Sequence, residues 1–311
     1  MRAVRLHAFG GPETLVYEEV PKPAPGQGEV LVQVRAVAFN PLDAGFREGF
    51  TQVPESLRPV IELPYTPGVD VSGEIAALGD GVTAWRVGDD VLGMAMKARG
   101  YAEYAVLPAA VLVGKPESVD HVRAAAVPLV GLTAVQYLDR IDPAAGARVL
   151  VNGAAGGVGH VTVQLAKSRG AQVIGVASGR HENFLRDLGV DEFVDYTTTD
   201  VTTVSTVDHV IDCVGGPEGY RFLDVVRRGG TISPVYLGDY RPDHAAELGV
   251  RLVPGERVRS DSGQLAELAR LMADGRLRVA VDSEFPLPDA AKAHERYAHG
   301  HLRGKIVLNV G

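Results

Sequence analysis

The segment RVLVNGAAGGVGHVTVQLAKSRG, residues 148–170, runs an apolar stretch into a glycine-rich turn and on to Val158, Val161 and Leu165, apolar at helical spacing. Ala154, Gly156 and Gly159 stand at the glycine places of a G-x-G-x-x-G fingerprint whose first glycine is replaced, with Ala155, Gly157 and Val158 among them. Glycine at the middle place lets backbone approach a pyrophosphate, and glycine at the last lets the helix pack closely on its strand. The helix start adds N–H donors and the positive end of its dipole. The plain alternative is a glycine-rich turn without a ligand. The order strand, loop, helix, second strand favours phosphate.

That second strand ends at Ser178, Gly179, Arg180 and His181, and the first acid after it is Glu182. Sites for NAD place a carboxylate there to hold the ribose 2′-OH. A hydroxyl and a planar guanidinium suit a 2′-phosphate instead, so the segment points to NADPH rather than NADH. The competing account makes Arg180 a solvated residue at a helix start.

The whole chain has 311 residues, room for about two domains of roughly 150 residues. With 46% hydrophobic and 23% charged residues it has the composition of an ordinary globular protein. The one cysteine, Cys213, excludes a disulfide framework and a Cys-based zinc site and fits a reducing compartment, the cytoplasm. A net charge of −8 opposes binding to nucleic acid. The longest uncharged stretch, Ala124 to Leu138, is too short and polar to span a membrane, and the opening residues carry no apolar core of export-signal length.

Up to about residue 120 the pattern predicts short strands at residues 2–7, 15–19, 29–39, 69–78, 90–93 and 101–107. Val30, Val32 and Val34 alternate with Leu31, Gln33 and Arg35, as in a half-buried antiparallel strand. From about residue 122 the texture changes. Apolar strands at 148–152, 172–177, 192–195, 208–213, 231–235 and 250–253 alternate with helical segments at 157–169, 181–188, 217–228 and 242–248. Such alternation predicts a doubly wound parallel sheet with its ligand at the carboxyl ends of the strands. The tail predicts helices at 262–274 and 288–298 and strands at 278–282 and 305–310, which return to complete the first lobe. The expected fold class is α/β, with a β-rich domain at 1–121 completed by 262–311 and a Rossmann-type domain at 122–261.

Several segments match a known family together. FGGPETL, VRAVAFNPLDAGFREG, LPYTPGVDVSGEIAALGDGVTAWRVGDDVLG, VPLVGLTAVQYL, VNGAAGGVGHVTVQLAK, LGVDEFVDY, VDHVIDCVGG and GHLRGKIVLNV occur in family order over essentially the whole length. The chain resembles the zinc-independent quinone oxidoreductase branch of the medium-chain dehydrogenase/reductase superfamily. The resemblance implies a GroES-like catalytic domain, a Rossmann domain and a cleft for nicotinamide. Zinc-bearing members hold their metal with a Cys and a Gly-His-Glu motif; here the latter place reads Gly68, Val69, Asp70, and Asn40 and Asp43 stand near the former. Without those ligands the resemblance implies hydride addition from NADPH to an already activated quinone or α,β-unsaturated carbonyl, with no zinc.

By resemblance Asn40 is the catalytic polar group facing nicotinamide and substrate, and Asp43 holds the Asn-Pro-x-Asp turn. Relatives often carry tyrosines just after this motif, where this chain has Gly45, Phe46, Phe50 and Thr51. Phe46, Phe50 and Tyr65 then form an apolar substrate pocket or are ordinary packing, and the proton donor stays open between solvent, Tyr65 and Tyr236. The resemblance further places at the cofactor Thr133, at the start of a helix; Tyr196, after the third strand; Cys213, Val214 and Gly215, after the fourth; Tyr236 and Leu237, after the fifth; and Arg303, Gly304 and Lys305 in the tail. Two alternatives to a general reductase remain: a pathway-specific biosynthetic enzyme on the same fold, performing an enoyl-type reduction or a non-redox step, or an NADPH-binding protein without general reductase activity. The run VRLV at 250–253 is an apolar edge fit for joining a second copy into a homodimer.

Overall fold

A computed structural model describes residues 1–53, 55–253 and 255–311. It divides into two compact units, one of Met1–Leu129, Ser260–Gly300 and Lys305–Gly311, the other of Val130–Arg259 and His301–Gly304. The divisions expected after residues 121 and 261 therefore fall after Leu129 and Arg259, and a short piece of the tail joins the second unit.

The first unit opens with an antiparallel pair, β1 (Arg2–Leu6) and β2 (Leu15–Glu19). β3 (Glu29–Ala38) follows and ends at Asn40, which starts α1 (Pro41–Glu48); proline at the first helical position and Gly49 in the left-handed conformation (φ 68°) set the two ends. β4 (Asp70–Leu78), β5 (Asp90–Met94), β6 (Tyr104–Pro108), β7 (Leu112–Gly114) and α2 (His121–Ala126) complete this stretch. On β3, Val30, Val32 and Val34 are buried as the alternation predicts, while on the other face Gln33 and Arg35 are only half-buried and Leu31 and Val37 are buried. The strand expected from residue 101 begins at Tyr104, since Tyr101 is wholly buried and donates its N–H to Pro67 O at 3.0 Å, outside the ladder.

Pro128 stops α2 and begins α3 (Pro128–Ile141), two helices that strand-centred reading of the sequence passes over. β8 (Arg148–Asn152), α4 (Gly157–Ser168), β9 (Gln172–Ala177), α5 (Glu182–Asp187), β10 (Glu192–Asp195), β11 (Val207–Asp212), β12 (Val226–Pro234), α6 (Pro242–Leu248) and β13 (Arg251–Leu252) make up the second unit. Its six strands are all parallel in the order β10-β9-β8-β11-β12-β13, the doubly wound arrangement the alternation predicts. One helix is corrected. Residues 217–228 hold only a 3-10 turn, Gly219–Asp224, because Val226 already pairs with Val207 and draws the chain into β12.

The tail supplies α7 (Ser262–Ala273), β14 (Val281–Pro286), α8 (Ala290–Ala298) and β15 (Lys305–Asn309). β14 lies later than the expected 278–282, in the register that sets Val281 beside Lys305 and Phe285 beside Leu308. β15 pairs antiparallel with β3, so the chain's last strand completes the seven-stranded sheet of the first unit. Among the described residues no helix is long and apolar enough to cross a membrane.

One face of the second sheet buries Leu150, Ile174, Val176, Val210 and Ile232 against Phe222, Tyr240 and Ala245. Ile174 is fully buried, so Ile174→Ala is expected to lower the unfolding free energy by about 2–5 kcal/mol, while Leu248→Ala, at a side chain 36% exposed, changes it by about 0.5 kcal/mol; urea unfolding measures both.

Candidate functional site

In the second unit β8 delivers the chain to Gly153, whose φ of 71° makes the sharp turn into Ala154 and Ala155. The first glycine of the fingerprint is thus displaced by one position rather than lost. Gly156 N donates to Gly153 O at 3.0 Å, and Gly156 precedes α4 with no side-chain cap, so the first N–H groups of α4 have no partner within their own helix, and Gly156 bridges in parallel to Gly304. A Cβ on Gly159 would lie 2.2 Å from Gly153 O, so only glycine fits; a Cβ on Gly156 would meet Gly153 O at a tight 3.3 Å and no other atom within 4 Å. The sequence reading missed how the tail enters here: Gly304 N donates to Ala155 O at 2.8 Å, and the Arg303 guanidinium lies 5.4 Å over the Phe184 ring.

Beyond β9, Ser178 is buried and its hydroxyl has no partner among the described residues. Arg180 is exposed, and His181 is buried in the same turn. The structure adds one group that sequence order hides. Asp195, at the end of β10, accepts hydrogen bonds from Thr197 and from Gly179 N–H, which hold its carboxyl below the usual range. Tyr196, half exposed, sets its hydroxyl 3.4 Å from His301 Nδ1.

At the end of β11 the organising residue is Asp212, fully buried, which sequence reading did not single out. It accepts from Val214 N at 2.9 Å, Gly215 N at 3.1 Å, Asn152 Nδ2 at 2.8 Å and Tyr240 Oη at 2.7 Å. Gly215 must be glycine, since a Cβ there would lie 2.3 Å from Leu237 O. Gly216 N then donates to Leu237 O at 2.9 Å, lacing together the two loops that follow β11 and β12. Their Val214, Tyr236 and Leu237 side chains stay more than half exposed. Burial, and then Asp212, push the Cys213 thiol up, away from a nucleophilic thiolate. Thr133 lies buried in the second turn of α3, not at a helix start.

In the first unit Asn40 heads a buried ionic cluster. Its backbone N–H donates to Asp43 Oδ2 at 2.8 Å, and Asp43 Oδ1 accepts from Gly68 N at 2.8 Å, which gives Asp43 the turn-holding role expected of it. Asn40 Nδ2 donates to Asp70 Oδ2 at 3.0 Å and makes a longer 3.3 Å contact with Ala38 O. Lys305 Nζ donates to Phe39 O at 2.7 Å and to Asn40 Oδ1. Lys305 is therefore committed to Asn40 and not, as the tail motif suggests, free for a cofactor. Asp70, at the place of the metal-binding Gly-His-Glu, is tied to Asn40 and to Leu129 N at 3.1 Å. Among the described residues no three His, Cys, Asp or Glu side chains gather as a metal site.

The candidate pocket residues do meet. Phe46 stacks on Tyr65 with centroids 4.8 Å apart and meets Phe50 edge-on at 5.2 Å. Phe50 has φ 53° and folds back so that a Cβ on Gly45 would lie 2.7 Å from its ring. Its phenyl thus fills the space beside Gly45. Phe46 is buried, while Phe50 and Tyr65 keep partly open faces, and burial with Asp43 nearby pushes the Tyr65 hydroxyl up, so it stays a neutral phenol.

Comparison with known proteins gives the family. Residues 26–117 match the model of the alcohol dehydrogenase GroES-like domain and residues 188–308 that of the zinc-binding dehydrogenases. The chain is 32% identical to a quinone oxidoreductase of Rattus norvegicus (99% of this chain, 97% of the relative) and 30% identical to a chloroplast envelope quinone oxidoreductase homolog of Arabidopsis thaliana (99% and 98%). The solved quinone oxidoreductase of Coxiella burnetii superposes with a TM-score of 0.91 at 33% identity, covering 100% of this chain and 99% of that one. A mycobacterial protein solved in complex with NADPH gives 0.88 at 30% identity, covering 99% and 100%. The chain belongs to the quinone oxidoreductase branch of the medium-chain dehydrogenase/reductase superfamily, a family of oxidoreductases.

The ionic cluster has a measurable pH signature. Two carboxyls face one ammonium out of water, and burial pushes Asp70 from 3.8 up to about 7 and Asp43 up to about 6. A carboxyl raised by folding binds its proton more tightly in the native state, so its contribution to stability declines as pH rises from 3.8 to about 7 and is level above that. His121, His209 and His294, pushed down by burial, titrate in the opposite sense. The difference between Asp70→Asn and wild type cancels them. The variant should gain stability relative to wild type between about pH 4 and about pH 7 in urea unfolding; a gap that does not change with pH would contradict the raised carboxyl.

Proposed function

We propose that the protein is an NADPH-dependent, zinc-independent reductase of quinones or α,β-unsaturated carbonyls. The observation that carries this reading is a set of uncommitted donors around one cradle: the uncapped start of α4, the unpartnered Ser178 hydroxyl and the exposed Arg180 guanidinium. Phosphate oxygens only accept, so donors without partners fit them. Gly156, where a Cβ would meet only Gly153 O, fits the close approach of a pyrophosphate.

NADPH, when bound, supplies a hydride to an electron-poor acceptor. The chain binds, orients and excludes water. The turn Ala154 to Gly159 holds the pyrophosphate at the start of α4, on N–H groups other than those of Ala154 and Gly156, which already donate to Val176 O and Gly153 O. Ser178, Arg180, His181 and Tyr196 receive the 2′-phosphate. Thr133 stands by the nicotinamide carboxamide, and Val214, Tyr236 and Leu237 cover apolar surface that would otherwise face water. Phe50 and Tyr65 offer aromatic faces to the acceptor, and Asn40 donates to its carbonyl oxygen as negative charge develops. Zinc independence rests on residue types: Val69 offers no ligand atom, and both oxygens of Asp70 already accept hydrogen bonds. A pathway-specific variant of the same chemistry draws support from the Phe50 ring beside Gly45, which leaves no phenol there.

NADPH consumption with phenanthrenequinone and small enones tests the activity; tight NADPH binding with no turnover across that panel would leave only a cofactor-binding protein. Arg180→Ala should weaken NADPH binding roughly tenfold at low salt and leave NADH within about twofold, as expected for one charge-assisted contact to phosphate. An unchanged preference would refute the role given to Arg180. We further propose that a second copy pairs along the open edge of β13, giving a homodimer; light scattering at the mass of one chain would rule it out.

A further inference from the structure

Asn40 is held unusually completely for a residue given a role at a reacting oxygen. An ammonium can only donate, so the side-chain oxygen must face Lys305; the second Asp70 oxygen lies where an amide donor belongs, so the NH2 must face it, and the two ends of the carboxamide cannot be exchanged. The grip comes from β15 through Lys305, from β4 through Asp70, from the end of β3 through Ala38 and Phe39, and from α1 through Asp43. One amide hydrogen is committed to Asp70 at 3.0 Å. The other makes only the 3.3 Å contact with Ala38 O, already an acceptor within the β3 ladders, and is the hydrogen most easily given to another oxygen.

We propose that Asp70 and Lys305 are positioning residues for Asn40, holding its carboxamide so that its second amide hydrogen points to the acceptor's carbonyl oxygen as charge develops there. This rests on the hydride-transfer reading above. A buried ion pair is a weak device for stability, since apolar side chains of similar volume commonly do as well, whereas fixing the direction of one polar group is a task apolar packing cannot perform.

The arrangement also makes the hold depend on pH. The charged groups facing Asp70 are Lys305 and Asp43, and the groups around Asp43 are Lys305 and the phenols of Tyr65 and Tyr101. Both Asp70 oxygens accept from N–H groups, so a proton on the oxygen facing Asn40 opposes the amide donor and releases the carboxamide. The ionised form is the one that positions Asn40, and burial pushes Asp70 up to about 7, so turnover should rise with pH through that region.

The test compares Asn40→Ala, Asp70→Asn, Lys305→Met and Lys305→Arg, each first shown to be folded by its unfolding transition. Turnover of phenanthrenequinone with NADPH should fall roughly ten- to a hundredfold in the first three and recover in part in Lys305→Arg, with KM for NADPH within about twofold. The rise near neutral pH should vanish in Asp70→Asn. In the cofactor-free protein the side-chain amide resonance of Asn40, identified by its loss in Asn40→Ala, should titrate in wild type and not in Asp70→Asn. If Asn40→Ala loses turnover while Asp70→Asn and Lys305→Met keep the wild-type rate and profile, the positioning proposal fails and the reductase reading stands. If Asn40→Ala keeps full turnover, Asn40 is no contact of the acceptor and its positioning has no catalytic meaning. If the wild-type protein reduces nothing, the reductase reading fails, and an Asn40 resonance indifferent to both pH and Asp70→Asn overturns the positioning by itself.

Discussion

The bond from the Lys305 ammonium to Phe39 O and the Asn40 carboxamide is the interaction on which the first unit depends. It joins the last strand of the chain to the end of β3, so the sheet closes only when the tail has returned. Among the described residues it is also the countercharge for two carboxyls with no exposure to water, Asp43 and Asp70. Remove the ammonium and those carboxyls must take up protons, although each oxygen of the pair already accepts an N–H. Strand pairing, the start of α1 and the anchoring of Leu129 thus meet at one buried set of charges.

The second unit solves the same problem of loop definition with neutral groups and one acid. Asp212 collects four donors and so fixes the turn at the carboxyl end of β11, where a doubly wound sheet meets its ligand. Sterics do the rest: carbonyl oxygens lie so close to Gly159 and Gly215 that any side chain would push the loops apart. The result is a rim whose backbone is tied down by its own hydrogen bonds while Val214, Tyr236 and Leu237 remain exposed, an apolar surface at the carboxyl end of the sheet.

Periodicity made the parallel sheet and most of its strands legible, because each strand is a local apolar run with its own boundary residues. The phosphate loop was legible for the same reason, though Gly153, which makes the turn, lies one place before the fingerprint. The segment 217–228 was misread because its composition suits a helix, while the pairing of Val226 with Val207 comes from a distant strand. Lys305 looked like a basic tail residue near a cofactor. Its burial against Asn40 is set by the β15–β3 register, which no spacing within the tail expresses. Asp70, Asp195 and Asp212 were overlooked or read only as absent metal ligands for one shared reason: their roles lie in which N–H groups reach them, and several of those come from other elements.

On the proposed reading, a carboxylate such as Asp195 near the adenosine end need not favour NADH. Sequence order hides it, because it arrives from β10 rather than from the end of β9. An acid reads a ribose 2′-OH by accepting its hydrogen, and must therefore keep a lone pair directed outward. Asp195 already accepts from Thr197 N at 3.0 Å, Thr197 Oγ1 at 2.7 Å and Gly179 N–H, which turns its oxygens toward the chain's own backbone. The groups left uncommitted around the same turn are donors, the Ser178 hydroxyl and the Arg180 guanidinium. On the proposed reading, free donors beside an acid already engaged by three hydrogen bonds complement a phosphate better than a hydroxyl, and by holding the Gly179 N–H, Asp195 fixes the turn that carries Arg180.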